Sequence, residues 1–272
     1  MTGPGRVALV TGAARGIGAA TVRALAVDGW HVLAVDRAAD DASVPYPLAT
    51  EADLVASISD AAAAAEANGA GGQIVATRAD VRDLGALTAA VAEAEERWGG
   101  LDAAIGCAGV IAGGAPQWKV PAEQERAVLD IDLGGVLNLA RAAVPALLRR
   151  PQPRSGRFLA VASAAAVRGL PTIAAYCAAK AGVAGLIRAL AVELGPTGVT
   201  VNAVSPGSTA TAMLDASARL YDLAGPQDFL GMQPLGRLLA PAEVAAVLAF
   251  LAGPASSGMT GAIVPVDGGM AL

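Results

Sequence analysis

Histidine occurs once in this chain, at His31, and cysteine twice, at Cys107 and Cys177. The two cysteines lie far apart and fit no metal-ligand spacing, so with a single histidine no zinc site, and no other metal site, is expected. Lone thiols without a cysteine framework fit a reducing compartment, and the cytosol is the expected location. Charge is scarce too: 16% of residues are charged, the net charge is −5, and Lys and Arg form no cluster. That argues against a nucleic-acid partner. The N-terminus, MTGPGRVALVTG, lacks the charged-then-apolar pattern of a signal peptide. One uncharged run, residues 244–266, is long enough to span a bilayer, but it contains GPASSGMTG. A lipid-facing helix does not carry so many breakers and hydroxyls, so the run reads as helix, loop and strand, with no membrane partner. No Gly/Ser-rich linker and no internal repeat divides the chain, and residues 1–272 read as one domain.

What the chain has in plenty is apolar: 54% of its 272 residues are hydrophobic, enough to bury a sizeable core. Short β-rich runs at 7–10, 31–35, 73–79, 103–105, 157–162, 200–205 and 263–265 alternate with helix-period stretches. The latter cover 17–28, 84–98, 123–148, 173–194 and 242–251. This alternation predicts an α/β fold, a parallel sheet with helices on both faces. Strands with few polar residues, such as VALV and FLAVA, fit a sheet covered on both sides.

The first strand runs into TGAARGIG and then a helix, a geometry that sets backbone N–H groups against a pyrophosphate. Gly12 permits the turn, Gly16 the close approach and Gly18 the packing of helix on strand, with Arg15 and Ile17 between them. Asp36 ends the second strand, 24 residues after Gly12, where an acid can bind the adenine ribose hydroxyls. A carboxylate there repels a 2′-phosphate and favours NAD over NADP, although Arg37 and Arg15 can offset part of that repulsion. Asp80 and Val81, after the third strand, either contact the adenine or cap the helix of DVRDLGAL.

Tyr176 and Lys180, in YCAAK, share one helical face. A free tyrosine, with a pKa of about 10, is a poor acid–base catalyst at neutral pH, and a lysine ammonium one turn away favours the phenolate. Ser163, thirteen residues before Tyr176, ends the strand RFLAVAS at the sheet edge where open α/β folds bind ligands. Its hydroxyl can bind the substrate oxygen while Tyr176 takes or gives the proton.

With these residues in this order, the chain resembles the short-chain dehydrogenase/reductase family over essentially its whole length. The likeness rests on TGAARGIG, Asp80–Val81, GCAG at 106–109, Ser163 with Tyr176 and Lys180, VNAVSPGSTATAM at 201–213 and VDGG at 266–269. It implies a Rossmann-like doubly wound sheet of about seven strands in the order 3-2-1-4-5-6-7, and hydride transfer between an alcohol or ketone carbon and a nicotinamide. Lys180 would also hold ribose hydroxyls. Cys107, Ala108 and Gly109 would lie beside the cofactor, Pro206 and Gly207 would wall the nicotinamide, and Thr209 and Thr211 would sit near carboxamide and phosphates. A homotetramer paired through the helices of 123–148 and 173–194 is implied. Two residues depart from the family: GCAG replaces Asn-Asn-Ala-Gly, and Asp132 stands in DIDLGG where the family has a catalytic Asn. That Asn bends its helix so that its carbonyl holds a relay water. Asp132 can keep that backbone role, but if ionised near Lys180 it offsets the charge acting on Tyr176. Cys177 reads as core, facing away from the Tyr176/Lys180 stripe.

The resemblance makes residues 208–237 a substrate lid, with an apolar set of Leu214, Leu220, Tyr221, Leu223, Phe229, Leu230 and Met232. The loop 110–118 would form the opposite wall with Trp118 at its edge, and the substrate would be a small hydrophobic alcohol or ketone. Residues 38–50, with Pro45 and Pro47, form an insertion after Asp36, and the next helix begins near Glu51. VPYPLATEADL resembles the segment marking the mycofactocin-coupled branch of the family, which includes carveol-dehydrogenase-like proteins. That resemblance implies an insertion folded over the adenine end, NAD that does not exchange, and mycofactocin as the redox carrier. The alternatives are an ordinary NAD(P)-exchanging dehydrogenase and a catalytically weakened nucleotide-binding sensor. Ser163, Tyr176 and Lys180 together argue against the sensor. An enzyme acting on acyl-carrier-protein thioesters finds no basic patch near the lid.

Overall fold

Strand positions follow from where alternate side chains can go. In the computed structural model, which describes residues 5–272, every residue of β1 (Val7–Thr11) is buried. Its side chains alternate between two cores: Val7 and Leu9 enter one, Ala8 and Val10 the other. In β2 (His31–Asp36) the split is Leu33 and Val35 against Val32 and Ala34. The remaining strands are β3 (Ile74–Arg78), β4 (Ala103–Gly106), β5 (Arg157–Val161), β6 (Thr200–Pro206) and β7 (Ile263–Val266). They form one seven-stranded sheet in the order β3-β2-β1-β4-β5-β6-β7, each pairing parallel. The expected order is the observed one. Residues 1–4, the start of the N-terminal stretch read against a signal peptide, lie outside the described residues.

Helices supply the two covers. Helix α1 (Gly16–Val27), α2 (Glu51–Ala67) and the late helix Pro241–Ala252 bury Val22, Leu25, Leu54, Ala61, Val244 and Leu248 in one core. The other core takes α3 (Leu84–Trp98), α4 (Ala122–Val128), α5 (Gly135–Arg149) and α6 (Ala174–Leu194). Local chemistry fixes several helix ends. Thr50 and Asp53 form a capping box at the start of α2, satisfying otherwise orphaned N–H groups. Asp83 caps α3 by accepting from the Ala86 N–H at 3.0 Å. The helix expected over 123–148 is helical throughout but divided by a π-turn, Leu129–Gly134, of the kind found at functional positions. Asp132 lies within that turn.

The run 244–266 resolves into most of the late helix, a short 3₁₀ turn (Pro254–Ser256) and β7, as expected. Among the described residues two helices, Ala122–Arg149 and Ala174–Thr197, are long and apolar enough to cross a bilayer, but each packs an apolar side into the core. Because β1 lies between β2 and β4, the chain leaves β1 toward one side and β4 toward the other. A crevice therefore opens at their carboxyl ends, where Thr11 is paired with Gly106. Phe158, fully buried as the second residue of β5, tests the packing. Phe158→Ala is expected to lower the unfolding free energy by about 3–5 kcal/mol in urea titration.

Candidate active site

The first turn of the site is built by glycines. Gly12 has φ +66°, and a Cβ on it would come within 2.6 Å of the Ala108 backbone nitrogen. A Cβ on Gly18 would collide with the Gly12 carbonyl oxygen. A side chain at either position would therefore push β1, α1 and the 107–109 segment apart. Arg15, at the N-cap of α1, makes no side-chain cap. The first-turn N–H groups are thus free to bind an anion, and the helix dipole favours one. This cradle fits the pyrophosphate of a dinucleotide.

A cavity of about 580 Å³ runs from this loop across the sheet edge, a size suited to a bound small molecule. Its lining includes Gly12, Arg15, Gly16, Ile17, Gly18, Asp36, Arg37, Asp80, Val81, Cys107, Ala108 and Gly109 at one end. Ser163, Tyr176, Lys180, Pro206, Gly207, Thr209 and Thr211 line the other. Of the expected site residues, Asp132 alone does not line it; it sits behind Lys180, fully buried. Asp36 accepts hydrogen bonds from the N–H groups of Ala14 at 3.0 Å and Ala38 at 2.9 Å. The second of these holds Ala38 at φ +54°, a left-handed conformation that costs a non-glycine residue roughly 1–2 kcal/mol. Asp80 does not cap α3; Asp83 does. The Asp80 carboxylate instead binds Arg82, with Oδ2 2.6 Å from Nη2. Thr211 caps α7 (Ala212–Leu220) through the Leu214 N–H.

Ser163, Tyr176 and Lys180 converge at the end of β5. The Ser163 hydroxyl accepts from the Ala165 N–H at 3.1 Å, leaving its own proton to donate. The Lys180 ammonium donates to the Val161 carbonyl at 3.1 Å and lies 3.2 Å from Asp132 Oδ2. The latter contact is an ion pair without an aligned hydrogen bond. Asp132 Oδ1 accepts from the Val110 N–H at 2.8 Å. Lys180 Nζ is 5.5 Å from the centre of the Tyr176 ring. Burial pushes the Tyr176 phenol above its ordinary value; the Lys180 ammonium and Ser163 hydroxyl work to lower it, and Asp132 adds to the rise. Burial works to lower the Lys180 ammonium, but Asp132 and Tyr176 outweigh it and the net direction is up. Burial raises the Asp132 carboxyl against the pull of Lys180 and the Val110 N–H. Burial also pushes the Cys107 thiol up to about 12, which keeps it protonated beside the cavity. Cys177 is half-buried, against the Leu170 carbonyl.

Sequence reasoning missed Tyr46, Arg82, Met213 and Met270, all of which line the cavity. Tyr46 was legible only as an aromatic between two prolines. Its hydroxyl reaches across to accept the Ile111 N–H at 3.1 Å, and burial pushes its phenol up to about 12. Of the expected lid set, Leu214, Tyr221, Leu223, Phe229 and Met232 line the cavity, while Leu220 and Leu230 do not. Leu220 packs instead against the large core. Trp118 is not at the cavity edge: it is 84% exposed. The loop turns under the Thr172 carbonyl, which accepts from the Gly114 N–H at 3.0 Å, so only Val110 and Ile111 of that wall reach the cavity.

A phosphate-binding glycine turn and a Ser/Tyr/Lys cluster at two ends of one cleft define a dinucleotide-dependent oxidoreductase. The family model described as short chain dehydrogenase matches residues 6–53, and that described as Enoyl-(Acyl carrier protein) reductase matches residues 48–271. The (-)-trans-carveol dehydrogenase of Rhodococcus erythropolis is 36% identical, over 98% of this chain and 98% of its own length. An uncharacterized NAD-dependent oxidoreductase of Mycobacterium tuberculosis is 34% identical, over 97% and 95%. The crystal structure of carveol dehydrogenase from Mycobacterium avium in complex with NAD superposes with a TM-score of 0.89 at 34% identity, covering 99% of each chain. The chain belongs to the short-chain dehydrogenase/reductase family.

The buried Asp132 carries the clearest test of the site's electrostatics. Removing its charge removes an influence that raises Tyr176, so Asp132→Asn is expected to move the pH–rate profile of alcohol oxidation to lower pH. Profiles of the two proteins measured side by side check this, and an unmoved or upward-shifted variant contradicts it.

Proposed function

We propose that this enzyme moves a hydride between a hydrophobic secondary alcohol or ketone and an NAD molecule that stays bound between turnovers. Bound in the cleft, NAD supplies the nicotinamide carbon that accepts or returns the hydride. Gly12, Gly16, Gly18 and the start of α1 hold the pyrophosphate, Asp36 the adenine ribose, and Lys180 the other ribose. Ser163 donates its free proton to the substrate oxygen. In the oxidation direction Tyr176 takes the hydroxyl proton as the carbinol hydrogen leaves with its electron pair, and Lys180 stabilises the phenolate that must form first. Asp132 fixes Lys180 from behind and tempers its charge.

The hydrophobic substrate is supported by the lid. Met213, Leu214, Leu223 and Met232 line the cavity, and Tyr221 packs edge-on to Phe229 with centroids 5.9 Å apart. The Tyr221 hydroxyl donates to the Pro171 carbonyl at 2.8 Å, fastening the lid to the opposite loop. A latched apolar lid excludes water during transfer.

The observation that carries the retained cofactor is the fastening of residues 38–50 at three points around the cleft. Asp41 is ion-paired to Arg82 at 2.8 Å, the Pro47 carbonyl accepts from Arg15 at 3.0 Å, and Tyr46 takes the Ile111 N–H. The segment is therefore a strap crossing from the β3 side, over the glycine turn, to the β4 side. Electrons then pass to a separate carrier, mycofactocin, on the resemblance of VPYPLATEADL. The whole-chain resemblance to the short-chain dehydrogenase/reductase family supports a homotetramer paired through the helices of 123–148 and 173–194, and the two lone cysteines support the reducing cytosol as its place.

Labelled NAD added to the purified protein tests the retention. Wild type is expected to exchange its bound NAD slowly. Tyr46→Phe loses one buried hydrogen bond, about 1 kcal/mol, and is expected to exchange several-fold faster. Rapid exchange in the wild type makes the enzyme an ordinary dehydrogenase. Tyr176→Phe is expected to keep its NAD and lose turnover by about a hundredfold or more.

A further inference from the structure

Three arginines, Arg15, Arg37 and Arg82, line the adenosine end of the cavity against two carboxylates, Asp36 and Asp80. Arg37 directly follows the acid that ends β2, a place from which an arginine can hold the 2′-phosphate of NADP. With three cations to two anions, the lining alone would offset part of the repulsion between Asp36 and that phosphate.

What changes the balance is Asp41, which stands behind the lining with a side chain only 8% exposed. Its Oδ2 lies 2.6 Å from Arg37 Nη1 and 2.8 Å from Arg82 Nη2. Its Oδ1 accepts from the Ser43 N–H at 2.9 Å, which fixes the carboxylate from the strap side. Arg82 is shared with Asp80 at 2.6 Å, and Arg37 Nε lies 3.5 Å from the same Asp80 oxygen. Arg15 is turned to the Pro47 carbonyl. Asp40, beside Asp41 in the strap, is exposed and accepts from the Leu48 N–H, and Asp53 is a further carboxylate near Arg15. Burial works to raise the Asp41 carboxyl, but the Ser43 N–H and the two guanidiniums outweigh it and hold it below the usual carboxylate range.

We propose that Asp41, carried by the strap, is a cofactor-specificity residue. It occupies Arg37 and Arg82 so that neither is available to a 2′-phosphate, and it acts in addition to the direct repulsion from Asp36. A phosphate entering here would have to break short charge-assisted bonds in a partly buried cluster before forming its own. The strap would then select the dinucleotide as well as cover it. The inference rests on the reading of the cleft as an NAD site.

Equilibrium dialysis against equal concentrations of NAD and NADP, continued until exchange is complete, tests it. Both dinucleotides are then released with acid and quantified. Wild type is expected to hold NAD almost exclusively. Asp41→Asn keeps the shape and the Ser43 contact, and is expected to raise the bound NADP:NAD ratio about tenfold, the size of one freed charge-assisted contact. Adding Arg37→Gln to Asp41→Asn should cancel most of the gain. Tyr46→Phe loosens the strap without freeing a cation and should leave the ratio unchanged. An unmoved ratio in Asp41→Asn, or an equal rise in Tyr46→Phe, overturns the inference while leaving the NAD site intact. Wild type binding neither dinucleotide overturns the NAD reading and the inference with it.

Discussion

Covering both faces of a sheet leaves its edges as the only place where strands can present polar groups. In this chain both faces are buried along β1, β2, β4, β5 and β6, and every pairing is parallel. All seven carboxyl ends therefore meet on one edge, and the site is assembled there. Asp36 ends β2, Gly106 ends β4 and Pro206 ends β6, while Ser163 lies two residues past the end of β5. The strand order then does the rest, because the change of direction between β1 and β4 opens the crevice that the glycine turn borders.

Two charged clusters sit at the two ends of that crevice, and they solve different problems. At one end Lys180 must stay positive while buried; the Asp132 carboxylate and the Val161 carbonyl compensate the lost water. Burying a lone ammonium would cost several kcal/mol. The compensation has a consequence for chemistry, since the same carboxylate opposes the ionisation of Tyr176. At the other end Asp41 and Asp80 engage Arg37 and Arg82 on the flank of the cleft, and the partly buried cluster ties the segment after β2 to the start of α3. One cluster tunes a proton, and the other shapes what the cleft accepts.

Much of this was legible in the residues. Strand–helix alternation and the apolar strands VALV and FLAVA gave the sheet, because a buried parallel strand tolerates no polar run. TGAARGIG, Asp36, Ser163, Tyr176 and Lys180 could be placed because their spacing is tied to one local turn, one strand end or one helix face. What could not be read depends on contacts far apart in sequence. Tyr46 meets Ile111 across 65 positions, and Asp41 meets Arg82 only when β2 and β3 lie side by side. Asp80 as a helix cap failed for a local reason: Asp83 is better placed, and Arg82 turns back onto Asp80. Trp118 was misplaced because nothing in the loop's own residues foretells that it is pinned under Thr172.

The central claim is that hydride transfer takes place on a dinucleotide that the chain keeps. It is tested most directly by mixing the purified protein, without added cofactor or acceptor, with an excess of a hydrophobic secondary alcohol. The near-ultraviolet absorbance of reduced nicotinamide is then followed. A single burst approaching one reduced nicotinamide per chain, with an amplitude that added NAD does not increase, is the predicted result. No burst, or a signal that grows in proportion to added NAD, would contradict the account.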